Sequence, residues 1–162
     1  MKKLLLKSLL GSLLVSAVFA AAYASTTVKV TTTSTSSSTV HVNALAKLQA
    51  LKVEELKTVD EGTTLTEVEM KAQDDVFDAL EDAVKASLKD PSNVALQDEI
   101  FRITVVMLKK DPTQFAGEVI LPLYEKNRKG YDAALNKLSA DDAQLVKEAV
   151  KTAVREKKNG NG

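Results

Sequence analysis

Two groupings of side chains are dense enough to suggest chemistry. The first is acidic: Asp74, Asp75, Asp78, Glu81 and Asp82. Asp74, Asp78, Glu81 and Asp82 fall at three- and four-residue spacing, which sets them on one face of a helix. Carboxylates so placed suit a weak Ca²⁺ patch or a pair of catalytic carboxyl groups. Each task needs more than one helix face supplies. Calcium is surrounded by oxygens that include loop carbonyls, and glycoside cleavage needs carboxyls flanking the bond. The plainer reading is a solvated face opposite Phe77, Leu80 and Val84.

The second grouping is basic. Lys126, Arg128 and Lys129 are bracketed by Tyr124 and Tyr131, between Pro122 and Gly130, where the backbone is expected to protrude. Tyrosine and arginine dominate binding hot spots. The five residues Tyr124, Lys126, Arg128, Lys129 and Tyr131 are therefore the candidate partner patch, suited to an acidic protein surface or polymer. Against this stands the ordinary role of cations as complements to a helix C-terminus.

Other chemistries are removed by composition. The chain has no cysteine, so disulfides, zinc knuckles and thiol nucleophiles are out. His41 is its one histidine, which argues against a histidine metal cluster or a Ser-His-Asp triad. There is no tryptophan, and past residue 24 the aromatics are Phe77, Phe101, Phe115, Tyr124 and Tyr131, a poor supply of stacking platforms for bases or sugars. No catalytic residue, cofactor site or metal site is expected.

The N-terminus supplies an address. Met1 to Ala24 reads as a cleavable signal peptide: Lys2, Lys3 and Lys7, an apolar run from Ser8 to Ala22, then Ala22-Tyr23-Ala24 as a small-x-small cleavage pattern. The run is about 15 residues, roughly 22 Å as a helix, short of the ~30 Å hydrocarbon core. Cleavage after Ala24 removes three lysines and leaves 19 basic against 22 acidic side chains, a net charge of −3. The expected product is secreted or periplasmic, has no stable membrane insertion and lacks a global field for nucleic acid.

Residues 25–42 are a Ser/Thr-rich segment with too little apolar surface to offset chain entropy, and a flexible linker is expected. The alternation Val28-Lys29-Val30 and Val40-His41-Val42 makes a short hairpin the alternative.

From residue 43 the pattern is helical. A first helix is expected over 44–59 behind Asn43, with Leu45, Leu48, Leu51, Leu56 and Val59 on one side. Thr66 and Glu69 form a capping box for a second, with Leu65 stapled to Met70 and an end at Asp90-Pro91. Asp90 and Pro91 are read as opening a third helix, and Asp111 and Pro112 a fourth. These two sites lie 21 residues apart, unlike the ~34-residue period of a tetratricopeptide repeat. The third helix is apolar almost all round from Ile100 to Leu108. It is read as the core strut, with self-association through it as a further expectation. Pro122 is expected to kink or break the fourth helix and Gly130 to end it. A short helix follows over 131–138. Ser139 with Asp142 caps the last, whose buried stripe is Leu145, Val146, Ala149, Val150, Ala153 and Val154.

The expected fold is all-α: an up-and-down bundle of about five amphipathic helices over 43–158, with a frayed tail at 159–162. The expected function is an exported, non-catalytic protein-binding module of chaperone-like or envelope-associated type. The alternative is an Asp/Glu-dependent hydrolase of envelope polymers, which requires two carboxylates converging in a cleft, at least one with a raised pKa.

Overall fold

A computed structural model describes residues 43–60, 62–111 and 113–160. The signal-peptide reading, the Ser/Thr segment with His41, Pro112 and residues 161–162 lie outside the described residues. The described part is all-α, with no strand in it. Its elements are α1 (43–49), a 3-10 turn (Val53–Glu55), α2 (Glu67–Lys89), α3 (Val94–Lys110), α4 (Phe115–Lys126), α5 (Arg128–Leu135) and α6 (Ala140–Lys158).

Local side-chain chemistry sets two starts as expected. The Glu69 N–H donates to Thr66 Oγ1 at 3.3 Å, and the Thr66 N–H donates to Glu69 Oε2 at 2.7 Å, completing the capping box of α2. Ser139 Oγ accepts from the Asp142 N–H at 3.2 Å and caps α6. The Leu65–Met70 staple is not borne out in its burial: Met70 is 46% exposed. The buried stripe of α2 runs through Gln73, Val76, Leu80, Val84 and Ser87. At roughly 100° per residue, Met70 sits about a quarter-turn off its centre.

Neither Asp90 nor Asp111 caps the start of a helix. Asp90 Oδ1 accepts from the Ser92 N–H at 3.1 Å, so Asp90-Pro91 forms a turn before the helix. Asn93 is the cap of α3, its Oδ1 accepting from the Leu96 N–H at 3.1 Å. Asp111 likewise accepts from the Thr113 N–H at 2.9 Å, and α4 starts only after Gln114, which takes the left-handed conformation with φ 63°. An aspartate two residues ahead of a backbone N–H competes as an Asx turn, and here the turn wins.

The expected helix over 44–59 ends at residue 49. Leu48 and Val53 are both fully buried, yet five residues apart on a helix they would point about 140° from one another. Breaking the helix lets both face inward. The segment beyond is tied to α3: the Val59 N–H donates to the Lys110 carbonyl at 2.7 Å, and Lys110 Nζ donates to the Leu56 carbonyl at 2.6 Å.

Pro122 does not break α4, and Gly130 does not end it. Ala116, Val119, Ile120, Leu121 and Leu123 are buried on both sides of the proline. Burial of that order outweighs the ~3 kcal/mol penalty of an internal proline. The helix ends instead at Asn127, whose Oδ1 accepts from the Gly130 N–H at 3.2 Å and so opens α5. The helix expected at 131–138 therefore starts three residues earlier. Gly130 lies inside it, where a Cβ would meet the Asn127 side chain and come within 2.6 Å of Gln97 Oε1.

α3 packs against α2, α4, α5 and α6 as well as the 3-10 turn, while α4 lies against both α6 and α2. Ile100, Phe101, Ile103 and Met107 are at most 1% exposed, so the apolar stretch of α3 is spent inside the chain's own core. Gly117 lets α4 approach α6 closely: a Cβ there would lie 2.7 Å from the Ala149 carbonyl carbon.

Candidate functional site

The tyrosines of the basic patch are held from below. Phe101 of α3, in the core, meets Tyr131 of α5 edge-on with ring centroids 5.2 Å apart, and Tyr131 meets Tyr124 of α4 at 5.4 Å in the same manner. Such T-shaped pairs place a positive ring edge on a negative face. Arg128 completes the stack, its guanidinium carbon 4.2 Å from the Tyr124 centroid and 5.7 Å from that of Tyr131. One turn on, Asp132 fixes Arg128 by accepting from Nε at 3.0 Å with both carboxylate oxygens.

Arg128 is held in its charged form, its pKa raised first by the Asp132 hydrogen bond and then by Tyr124. Burial pushes the Tyr131 hydroxyl up to about 12, although the nearby Arg128 charge works the other way.

This cluster forms one wall of a cleft of about 340 Å³. Tyr124, Arg128, Tyr131, Asp132 and Leu135 face Lys147, Val150, Lys151 and Val154 of α6. The floor is apolar, with Leu135 and Val150 buried. The rim is cationic from both sides. Lys151 reaches Glu148 only at 3.7 Å, and Lys147 makes no ion pair among the described residues. A second depression of about 370 Å³ lies by the end of α6, and the described residues that line it all come from that helix and its C-cap. Among the described residues no second element faces it.

Of the five patch residues, the fold brings Tyr124, Arg128 and Tyr131 together. Lys126 and Lys129 are exposed and do not line the cleft. Tyr131 is 3% exposed, so it serves as floor and support rather than as an open contact. The α6 wall was not read from the sequence. Its signal was the pair Lys147 and Lys151 one turn apart, beside the buried Val146 and Val150.

The acidic run is arranged differently. Asp74, Asp75, Asp78, Glu81 and Asp82 are all exposed on α2. Lys71 pairs with Asp75 at 2.9 Å, Lys85 with Glu81 at 3.1 Å and Lys47 with Asp82 at 3.2 Å. No group of three or more His, Cys, Asp or Glu among the described residues is arranged to hold a metal ion. No helix in the described part is long and apolar enough to cross a membrane.

Comparison with protein-family models, curated proteins and solved structures finds no match for this chain.

Proposed function

We propose that the chain is an exported, non-catalytic protein-binding module, and that the cleft between α5 and α6 receives its partner. The observation that carries this reading is the cleft itself: an apolar floor under a cationic rim, with its arginine fixed before any partner arrives. Ligand sites are concave, largely apolar and marked by a few convergent polar groups. Export rests on the signal-like pattern of residues 1–24.

The hydrolase alternative draws less support. None of the described carboxylates is buried. Those of Glu54, Glu69 and Asp142, whose pKa values are displaced, are all lowered. A general acid needs the opposite shift.

The test compares two baits in the exported fraction of the source cells, the chain and its Val154→Trp variant, which fills the mouth of the cleft. A partner retained by the first and lost from the second is expected. Equal retention by both would remove the cleft as the site. The absence of any reproducible partner would sink the binding function.

A further inference from the structure

The cleft's two walls carry enough chemistry to specify its occupant, if the binding reading above holds. Asp132 engages Nε of Arg128, and no hydrogen bond runs from its two terminal nitrogens to a described carboxylate. A guanidinium stacked on an aromatic ring and fixed at one edge presents the other edge as a ready fork for a carboxylate. Across the cleft, Lys147 and Lys151 stand one helical turn apart, roughly 5–6 Å between Cβ atoms. Three cations on two walls exceed what one carboxylate needs, while Leu135, Val150 and Val154 between them offer no polar partner.

We infer that the occupant is an acidic segment of another protein, with one apolar side chain set between its carboxylates. The apolar group enters the cleft, one carboxylate meets the fork of Arg128, and a second spans Lys147 and Lys151. Asp132 and Glu148 lie among these cations. A peptide can space its charges to avoid them. A bilayer of anionic headgroups cannot, because it covers the whole face with negative charge.

The experiment titrates the purified protein against a fluorescent peptide blocked at both ends, carrying one phenylalanine between two pairs of glutamates. Saturable binding is expected. It should weaken about tenfold or more when the peptide's phenylalanine becomes serine, and again when Arg128→Gln removes the fork, as loss of one charge-assisted hydrogen bond implies. Arg128→Lys should not restore it. Lys151→Glu, on the opposite wall of the cleft and outside the aromatic stack, should weaken binding to a similar degree even if the arginine variants disturb that stack. Lys126→Gln and Lys129→Gln should change it less than about twofold, as rim charges outside the contact do.

Undiminished binding when all four glutamates become glutamines would overturn the proposal. So would capture of phosphatidylglycerol vesicles in preference to the peptide, or self-association of the chain with no affinity for the peptide. If the peptide fails while cleft-dependent capture succeeds, the binding function stands and this assignment of its partner falls.

Discussion

The acidic face of α2 and the cleft between α5 and α6 make an instructive pair. Both concentrate charge, and the acidic face holds more of it. Yet its five carboxylates sit on one exposed helix, three of them answered by lysines of the same chain. The cleft draws its cations from two helices, sets them over an apolar floor, and anchors one of them to a core aromatic through Tyr131. Charge density alone dresses a surface, whereas charge over a recess built by several elements can discriminate.

Mutation can break that contrast at several strengths. Phe101→Ala removes the ring beneath Tyr131 and leaves a cavity in the most buried helix. Unfolding by denaturant should show a loss of about 3–5 kcal/mol. Asp78→Ala on the acidic face should stay within about 0.5 kcal/mol. Equal losses would erase the distinction between the two regions.

Next in size is Gly117→Ala. Alanine normally favours a helix by about 1 kcal/mol over glycine, but here its Cβ would press on the Ala149 backbone at 2.7 Å. The overpacking cost of about 1–3 kcal/mol should reverse the sign, and a more stable variant would refute the close α4–α6 contact.

Tyr131 offers a pH test of the cleft floor. Its folded pKa of about 12 lies above the ordinary 10, so its neutral form is favoured by folding. That contribution is complete below pH 10 and is lost as pH rises from 10 through about 12. Tyr131→Phe should lose less stability than the parent across this window, measured by denaturant midpoints.

The smallest effect belongs to the cap of α2. Thr66→Ala should cost about 1 kcal/mol at neutral pH, as N-cap threonines do. Hydrogen bonds from the Thr66 backbone and hydroxyl hold Glu69 below its usual 4.5. Their contribution is therefore present above that value and fades as pH falls through the lowered one. The gap between variant and parent should narrow in acid.

The sequence disclosed what depends on neighbours within four residues. Thr66 with Glu69 and Ser139 with Asp142 are such motifs, and both form. It misled where two local options compete, as at Asp90-Pro91, where the Asx turn displaced the cap to Asn93. It was silent where the outcome depends on distant packing. Pro122 sits inside a helix because of burial on either side of it. Half the cleft comes from α6, whose place beside α5 no local pattern states. Tyr124, Arg128 and Tyr131 were legible as residue types, but Lys147 and Lys151 needed the third dimension.

The tie between Leu56, Val59 and Lys110 bears on the order in which the molecule assembles. Lys110 Nζ reaches a carbonyl 54 residues earlier in the chain. Closing a loop of that length from the unfolded chain costs about 3.5 kcal/mol or more in entropy. Once α2 and α3 have packed together, the gap still to be closed shrinks to residues 60–66. The segment before Val59 should therefore dock late in folding and come away first. In pulse-labelled hydrogen exchange, the Val59 amide should gain protection after the amides of α2 and α3. Earlier protection would mean that the tie guides those helices together instead of following them.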